Sequence, residues 1–180
     1  IETLQFADGS HPVSDFATPE GPDAVISGEL SGSVTEDVSV DENGDLVASG
    51  QLAITDADAG SAFFEATTIS GAHGSLTITP DGAWTYEVDN GLPAVQGLGE
   101  GQFLTDTVVV TSSDGTEQSI EITITGTNDV PFISGDLSGS VVEDEVFAAS
   151  GQLSIADVDA GEAFFYEVLF YCEHGSLTID

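Results

Sequence analysis

Hydrophobic residues fall at every second position over several short stretches of this chain. Leu52 and Ile54, Leu76 and Ile78, Trp84, Tyr86 and Val88, then Ile120, Ile122 and Ile124 all alternate with polar neighbours. Successive side chains of an extended strand point to opposite faces, so a period of two marks strands with one buried face. Asp81-Gly82 and Ser113-Asp114-Gly115-Thr116 separate such runs and read as hairpin turns. The pattern predicts about seven strands, near residues 31–38, 47–55, 61–69, 74–79, 83–89, 103–112 and 117–125. Only Leu92 to Leu98, with Pro93 at the first helical position, predicts a helical turn. Seven short strands over about 100 residues predict an all-β, immunoglobulin-like antiparallel sandwich, with Trp84 and Tyr86 in its core.

The pattern then repeats. Ile26-Ser27-Gly28-Glu29-Leu30-Ser31-Gly32-Ser33-Val34-Thr35-Glu36-Asp37 returns as Ile133-Ser134-Gly135-Asp136-Leu137-Ser138-Gly139-Ser140-Val141-Val142-Glu143-Asp144, 107 residues on. Asp56-Ala57-Asp58-Ala59-Gly60 returns as Asp157-Val158-Asp159-Ala160-Gly161, and His73-Gly74-Ser75-Leu76-Thr77-Ile78 as His174-Gly175-Ser176-Leu177-Thr178-Ile179, both 101 residues on. The first copy carries six extra residues, a turn-like insertion around Asp41 to Asp45. A period near 100 residues suits a tandem array of sandwich domains rather than a solenoid. The expected organisation is a leader or linker over 1–23, a complete repeat over 24–129, and the N-terminal half of a second repeat over 130–180. That half is expected to leave Phe164, Phe165, Leu169 and Phe170 uncovered, so that it is poorly ordered or pairs with another chain. Tyr166 to Cys172 is also more aromatic than its counterpart, Glu65 to Gly71.

Charge narrows the function. The chain has no Lys or Arg against 33 Asp and Glu, a formal net charge of −33. Nucleic-acid binding requires cations to neutralise phosphate, and an anionic membrane surface would repel the chain. There is no apolar run long enough to span a bilayer, and Ile1 to Glu20 shows neither the basic nor the apolar segment of an N-terminal signal peptide. Each carboxylate must be solvated, hydrogen-bonded or bound to an external cation. A single cysteine, Cys172, allows no intrachain disulfide and is expected as a small buried hydrophobe. His73 and His174 precede Gly-Ser at strand starts and are expected in turns. No nucleophile motif appears, so no enzymatic activity is expected.

Thr125-Gly126-Thr127-Asn128-Asp129-Val130-Pro131, followed by Ile133-Ser134-Gly135 and Val141-Val142-Glu143-Asp144, resembles the junction between VCBS repeats. So do Thr55-Asp56-Ala57-Asp58-Ala59-Gly60, Asp81-Gly82-Ala83-Trp84-Thr85-Tyr86 and Leu104-Thr105-Asp106-Thr107. These repeats occur in tandem in very large bacterial adhesins of the RTX type, exported by type I secretion. The resemblance implies a secreted, cell-surface module that acts as a spacer in adhesion, aggregation or biofilm formation. Its implied partners are calcium ions, neighbouring repeats of the same chain, and host-surface or matrix glycans or proteins. A carbohydrate- or ligand-binding sandwich is the alternative, and would expose aromatics on one face. Residues 73 and 174 are more often aromatic in such repeats, and the upstream junction, Glu20 to Ala24, lacks the Asn-Asp pair.

The same layout is similar to the cadherin arrangement: an early-strand Glu, an Asn-Asp-x-Pro linker, and an Asp-x-Asp in the next domain. That analogy implies a Ca2+ site at the repeat junction drawing on Glu36, Asn128, Asp129, Asp157 and Asp159. Asp56 and Asp58 would serve the junction upstream, and Glu143 and Asp144 one further on. Calcium takes six to eight oxygen ligands in irregular geometry, which suits clustered carboxylates without basic competitors.

Overall fold

The computed structural model describes residues 3–6, 9–12, 24–56 and 62–180. Thr3–Phe6 (β1) and Gly9–Pro12 (β2) pair as an antiparallel hairpin. Residues 24–56 and 62–126 form a sandwich of two facing sheets. The larger sheet contains Val25–Gly28 (β3), Asp45–Thr55 (β5), Thr67–Ser70 (β6), Ser75–Ile78 (β7) and Ala83–Asp89 (β8), in the order β3-β5-β8-β7-β6. Ser31–Thr35 (β4), Phe103–Thr111 (β9) and Glu117–Thr125 (β10) form the smaller sheet, ordered β4-β10-β9. All pairings are antiparallel except β4 with β10, which run parallel from Ser31↔Glu121 to Thr35↔Thr125. The helical turn expected after β8 is Pro93–Gln96 (α1).

Alternation decides which side of each strand enters the core. In β8, Trp84, Tyr86 and Val88 are buried; in β10, Ile120, Ile122 and Ile124 are; in β7, Leu76 and Ile78. Trp84 fills the centre as expected, its Nε1 donating to the Glu29 carbonyl at 3.0 Å. Its indole lies on Gly50 in the middle of β5, where a Cβ would stand 2.5 Å from the ring. Gly28 (φ 113°) lets the chain leave the larger sheet for the smaller, and a side chain there would strike the Gln51 carbonyl. Gly135 (φ 107°) repeats this contact against the Gln152 carbonyl in the second copy.

Two expected strands are redrawn and one is added. Residues 31–38 were one expected strand, but β4 stops at Thr35, because Asp37 (φ 57°) and Ser39 (φ 58°) turn the backbone left-handed. Asp is among the few residues that tolerate that conformation. The strand expected over 61–69 is ordered as β6 only from Thr67. Phe64 instead drops into the core, fully buried, and bridges to Ser112 on the other sheet. β3 adds an eighth strand to the seven expected, because Val25 is exposed and Ile26 half-buried, which leaves little alternation to read.

The second copy has the two hairpins Phe132–Gly135 (β11) with Leu153–Ala156 (β12), and Val168–Cys172 (β13) with Gly175–Ile179 (β14). Its counterpart of β4 makes only an isolated bridge, Val142 to Val146. The described residues hold no counterpart of β10 for that segment to pair with. Phe164, Leu169 and Phe170 are exposed, whereas Phe165, also expected to be uncovered, is half-buried. Cys172 is exposed rather than buried. It sits at the hairpin end of β13 opposite Gly175, in the place of Gly71, where a side chain in the first repeat would meet the buried Asp106; the described residues of the second copy hold no counterpart of β9 to cover that side.

Candidate metal centre at the repeat junction

The sandwich ends in an acidic pocket where β4 and β10 run out together. The Glu36 N–H donates to the Thr125 carbonyl (2.9 Å), which holds the residue beside the end of β10. Glu36 is fully buried; its Oε2 accepts the Thr127 N–H at 3.2 Å, and its Oε1 has no partner. The left-handed turn at Asp37 brings that carboxylate alongside. Ligand-capable oxygens of Glu36, Asp37 and Asp129 all lie within 4.8 Å of one another.

Asp37 is held from outside. Its N–H donates to Asn90 Oδ1 (3.0 Å), and its Oδ1 accepts from Asn90 Nδ2 (2.7 Å) and Gln96 Nε2 (3.2 Å). These partners come from the end of β8 and from α1, so three elements meet on one carboxylate.

The second copy closes the pocket. Asp159 is buried, and its Oδ2 accepts the Asp129 N–H at 2.8 Å. Asp157 folds back to accept the Asp159 N–H on Oδ1 (3.1 Å), and the next residue, Ala160, donates its N–H to the Gly97 carbonyl just after α1 (3.1 Å). Asp159 Oδ1 and Asp129 Oδ2 are buried without hydrogen-bond partners, as is Glu36 Oε1. Burial of an unpaired carboxylate oxygen is costly, and the chain has no Lys or Arg to offset it. Burial pushes the Glu36 carboxyl above its ordinary value of 4.5, against the Thr127 N–H, and Asp129, Asp37 and Asp159 add repulsion. Asp129 is likewise raised, by burial and then by Asp159, Asp37 and Asp157. Such a cluster suits a divalent cation, which would satisfy the orphaned oxygens and reverse the repulsion.

Of the expected junction residues, Glu36, Asp129 and Asp159 converge. Asp157 is half-buried beside them and orients Asp159. Asn128 is exposed and donates its side-chain amide to the Asp129 carbonyl (2.6 Å). Asp56 is half-buried at the end of β5, and Asp58 lies outside the described residues. Glu143 and Asp144 are exposed, and Asp144 has the same left-handed backbone (φ 62°) as Asp37.

A second acidic site escaped the sequence reading. Asp106 of β9 is fully buried and accepts from Tyr86 Oη (2.7 Å) and from the N–H groups of His73 and Gly74 (both 3.0 Å). His73 thus sits in the β6–β7 turn, as expected, with Nε2 4.0 Å from Asp106 Oδ1. Burial raises the Asp106 carboxyl, and the Tyr86 hydroxyl with the two N–H donors outweighs it, so the net shift is downward. Tyr86 is pushed strongly up by burial and by Asp106. The signal was present: Asp106 occupies an inward position of the alternation completed by Val108 and Val110.

The model of one protein family, the bacterial cadherin-like domain, matches residues 22–126. No curated protein matches the chain.

Proposed function

The chain belongs to the bacterial cadherin-like domain family, and on that premise we propose that it is a calcium-stiffened repeat module of a large bacterial surface adhesin. Domains of this family are usually extracellular or surface-associated and typically non-catalytic. No helix among the described residues is long and apolar enough to cross a membrane. The residues of the Thr125–Pro131 junction support the VCBS type within the family, and with it type I secretion and a spacer role in adhesion and biofilm formation.

The observation that carries the reading is the set of three buried carboxylate oxygens without partners: Glu36 Oε1, Asp129 Oδ2 and Asp159 Oδ1. They come from the first repeat, the linker and the second repeat. Glu36, Asp37, Asp129 and Asp159 would hold the ion, with Asp157 positioning Asp159. When bound, calcium supplies charge compensation and a rigid tie between consecutive repeats. Four carboxylates and no cationic side chain favour a hard divalent cation.

The test is a thermal melt with chelator, then with millimolar calcium, with sodium at equal ionic strength as control. A ligand that binds only the folded state stabilises it by RT ln(1 + [L]/Kd). A shift specific to calcium and lost in Asp159→Asn supports the reading. An equal shift with sodium would mean screening alone.

A further inference from the structure

The two repeats align without gaps from Asp56/Asp157 to Thr79/Asp180, and the alignment exposes one abrupt divergence. Ala62-Phe63-Phe64 equals Ala163-Phe164-Phe165, and His73 to Ile78 equals His174 to Ile179. Between them every position differs: Glu65-Ala66-Thr67-Thr68-Ile69-Ser70-Gly71-Ala72 stands against Tyr166-Glu167-Val168-Leu169-Phe170-Tyr171-Cys172-Glu173. This segment holds β6 in the first repeat and β13 in the second. Divergence confined to one strand between identical flanks points to a change in what that strand faces.

The first repeat shows which side chains face outward. β6 is the last strand of its sheet, hydrogen-bonded to β7 alone among the described strands. Leu76 and Ile78 of β7 enter the core, so their partners Ile69 and Thr67 lie on that side. Thr68 and Ser70 lie on the outer side; both are exposed, and Thr68 shares a 2.8 Å hydrogen bond with Thr77. Their counterparts are Leu169, 47 % exposed, and Tyr171, 83 % exposed. Both positions are solvent-facing in the complete sandwich, so their exposure does not come from missing neighbours. The outer face of an edge strand has changed from hydroxyls to Leu and Tyr. An apolar edge strand with unpaired backbone groups is a template for another strand.

Charge selects the occupant. Glu167 and Glu173 bracket the apolar run, and both are exposed; the Glu173 carboxylate lies 3.9 Å from the His174 ring. A second copy paired antiparallel with the apolar runs aligned would set Glu167 opposite Glu173 at both ends, where like charges repel. The complement is a strand with an apolar centre and a basic residue at each end, which this Lys- and Arg-free chain does not contain. We propose that β13 of the second repeat is a docking edge for an extended, basic-flanked segment of a different protein, added as an antiparallel strand.

The test uses the whole chain, isotope-labelled, at about 0.15 M salt to screen diffuse attraction. Three capped peptides serve as probes: Lys-Val-Thr-Val-Thr-Val-Lys, its Glu-flanked version, and the Lys-flanked version with proline at its centre. Proline keeps the charge and removes the ladder hydrogen bond. The first peptide is expected to shift the amides of Val168–Cys172, with affinity about 10-fold above either control, and to leave Thr67–Ser70 unmoved. Grafting the first repeat's residues (Val168→Thr, Leu169→Thr, Phe170→Ile, Tyr171→Ser) should abolish binding, since the fold already accepts that sequence in β6. Equal binding of the proline peptide, equal binding of the Glu-flanked peptide, or binding retained by the graft overturns the proposal. A concentration-dependent dimer lost in the graft overturns it in favour of self-pairing.

Discussion

Replacing Asp106 by Asn tests whether the two sheets are tied by a buried charge. Asp106 belongs to the smaller sheet, whereas its donors, Tyr86 and the His73–Gly74 turn, belong to the larger. Asn keeps the shape but offers one acceptor oxygen and turns an NH2 toward groups that themselves donate. A buried hydrogen bond to a charged group contributes about 1.5–3 kcal/mol, and an unsatisfied buried donor costs about 1–3 kcal/mol. With at least one donor orphaned and the rest weakened, Asp106→Asn should cost about 3 kcal/mol. For a domain of roughly 100 residues this lowers Tm by about 12–24 °C. Tyr86→Phe removes a single donor and should cost about 1–2 kcal/mol, and the double mutant should fall short of the sum. Urea unfolding followed by Trp84 fluorescence is the assay: Trp84 is the chain's one tryptophan and sits at the centre of the sandwich. Chelator throughout keeps the junction from contributing. A cost under about 1 kcal/mol for Asp106→Asn, or full additivity with Tyr86→Phe, would refute the tie.

Gly50→Ala should destabilise the sandwich by about 1–3 kcal/mol in the same assay, because the new methyl meets the Trp84 ring, itself held by Glu29. Asn90→Ala should leave the metal-free melt nearly unchanged yet weaken calcium binding about 10-fold, measured calorimetrically, because it releases Asp37 from its orienting partner. Acid should act in opposite senses on the two acidic sites of the metal-free protein, read by amide exchange against pH. Glu36 and Asp129 are raised when folded, so the junction gains stability as pH falls through their raised values toward the ordinary 4.5 and 3.8, then levels off. Asp106 is lowered, so its contribution is complete above 3.8 and is lost as pH falls through its folded value.

The sandwich was legible where a strand has one wet and one dry face. β8 and β10 alternate cleanly because each lies inside its sheet with one side on the core. The reading failed where tertiary contacts override alternation. Phe63-Phe64 looks like strand continuation, but Phe64 serves as a plug between the sheets. The Glu36–Asp37 pair resembles a strand end, yet whether either acid is buried depends on β10 finishing beside it. The Glu36-Asp37 pair was expected to reach the junction, but Asp37 was left out of the ligand set; its place there is set by a left-handed backbone and by Asn90, 53 residues away. Asn128 was included on linker chemistry alone, and its side chain instead serves its own linker backbone. Cys172 was assigned by residue type, which carries no information about whether a second sheet covers its side of the hairpin.

The contrast between the two buried acidic sites argues for where the external cation belongs. The chain must solve each buried carboxylate without Lys or Arg. At Asp106 it does so with one hydroxyl and two backbone N–H groups, and the carboxyl falls below its ordinary value. At the junction, Glu36 and Asp159 each receive one backbone N–H and keep one oxygen bare, and Asp129 keeps a bare oxygen as well. The same fold that completes one site with its own donors leaves the other with three unserved acceptors on three separate segments. Those segments are the end of β4, the linker and the turn after β12 of the next repeat. A cation there would bridge these segments and leave the interior of the sandwich untouched. Removing it should therefore loosen the tie between the repeats while leaving the first sandwich folded.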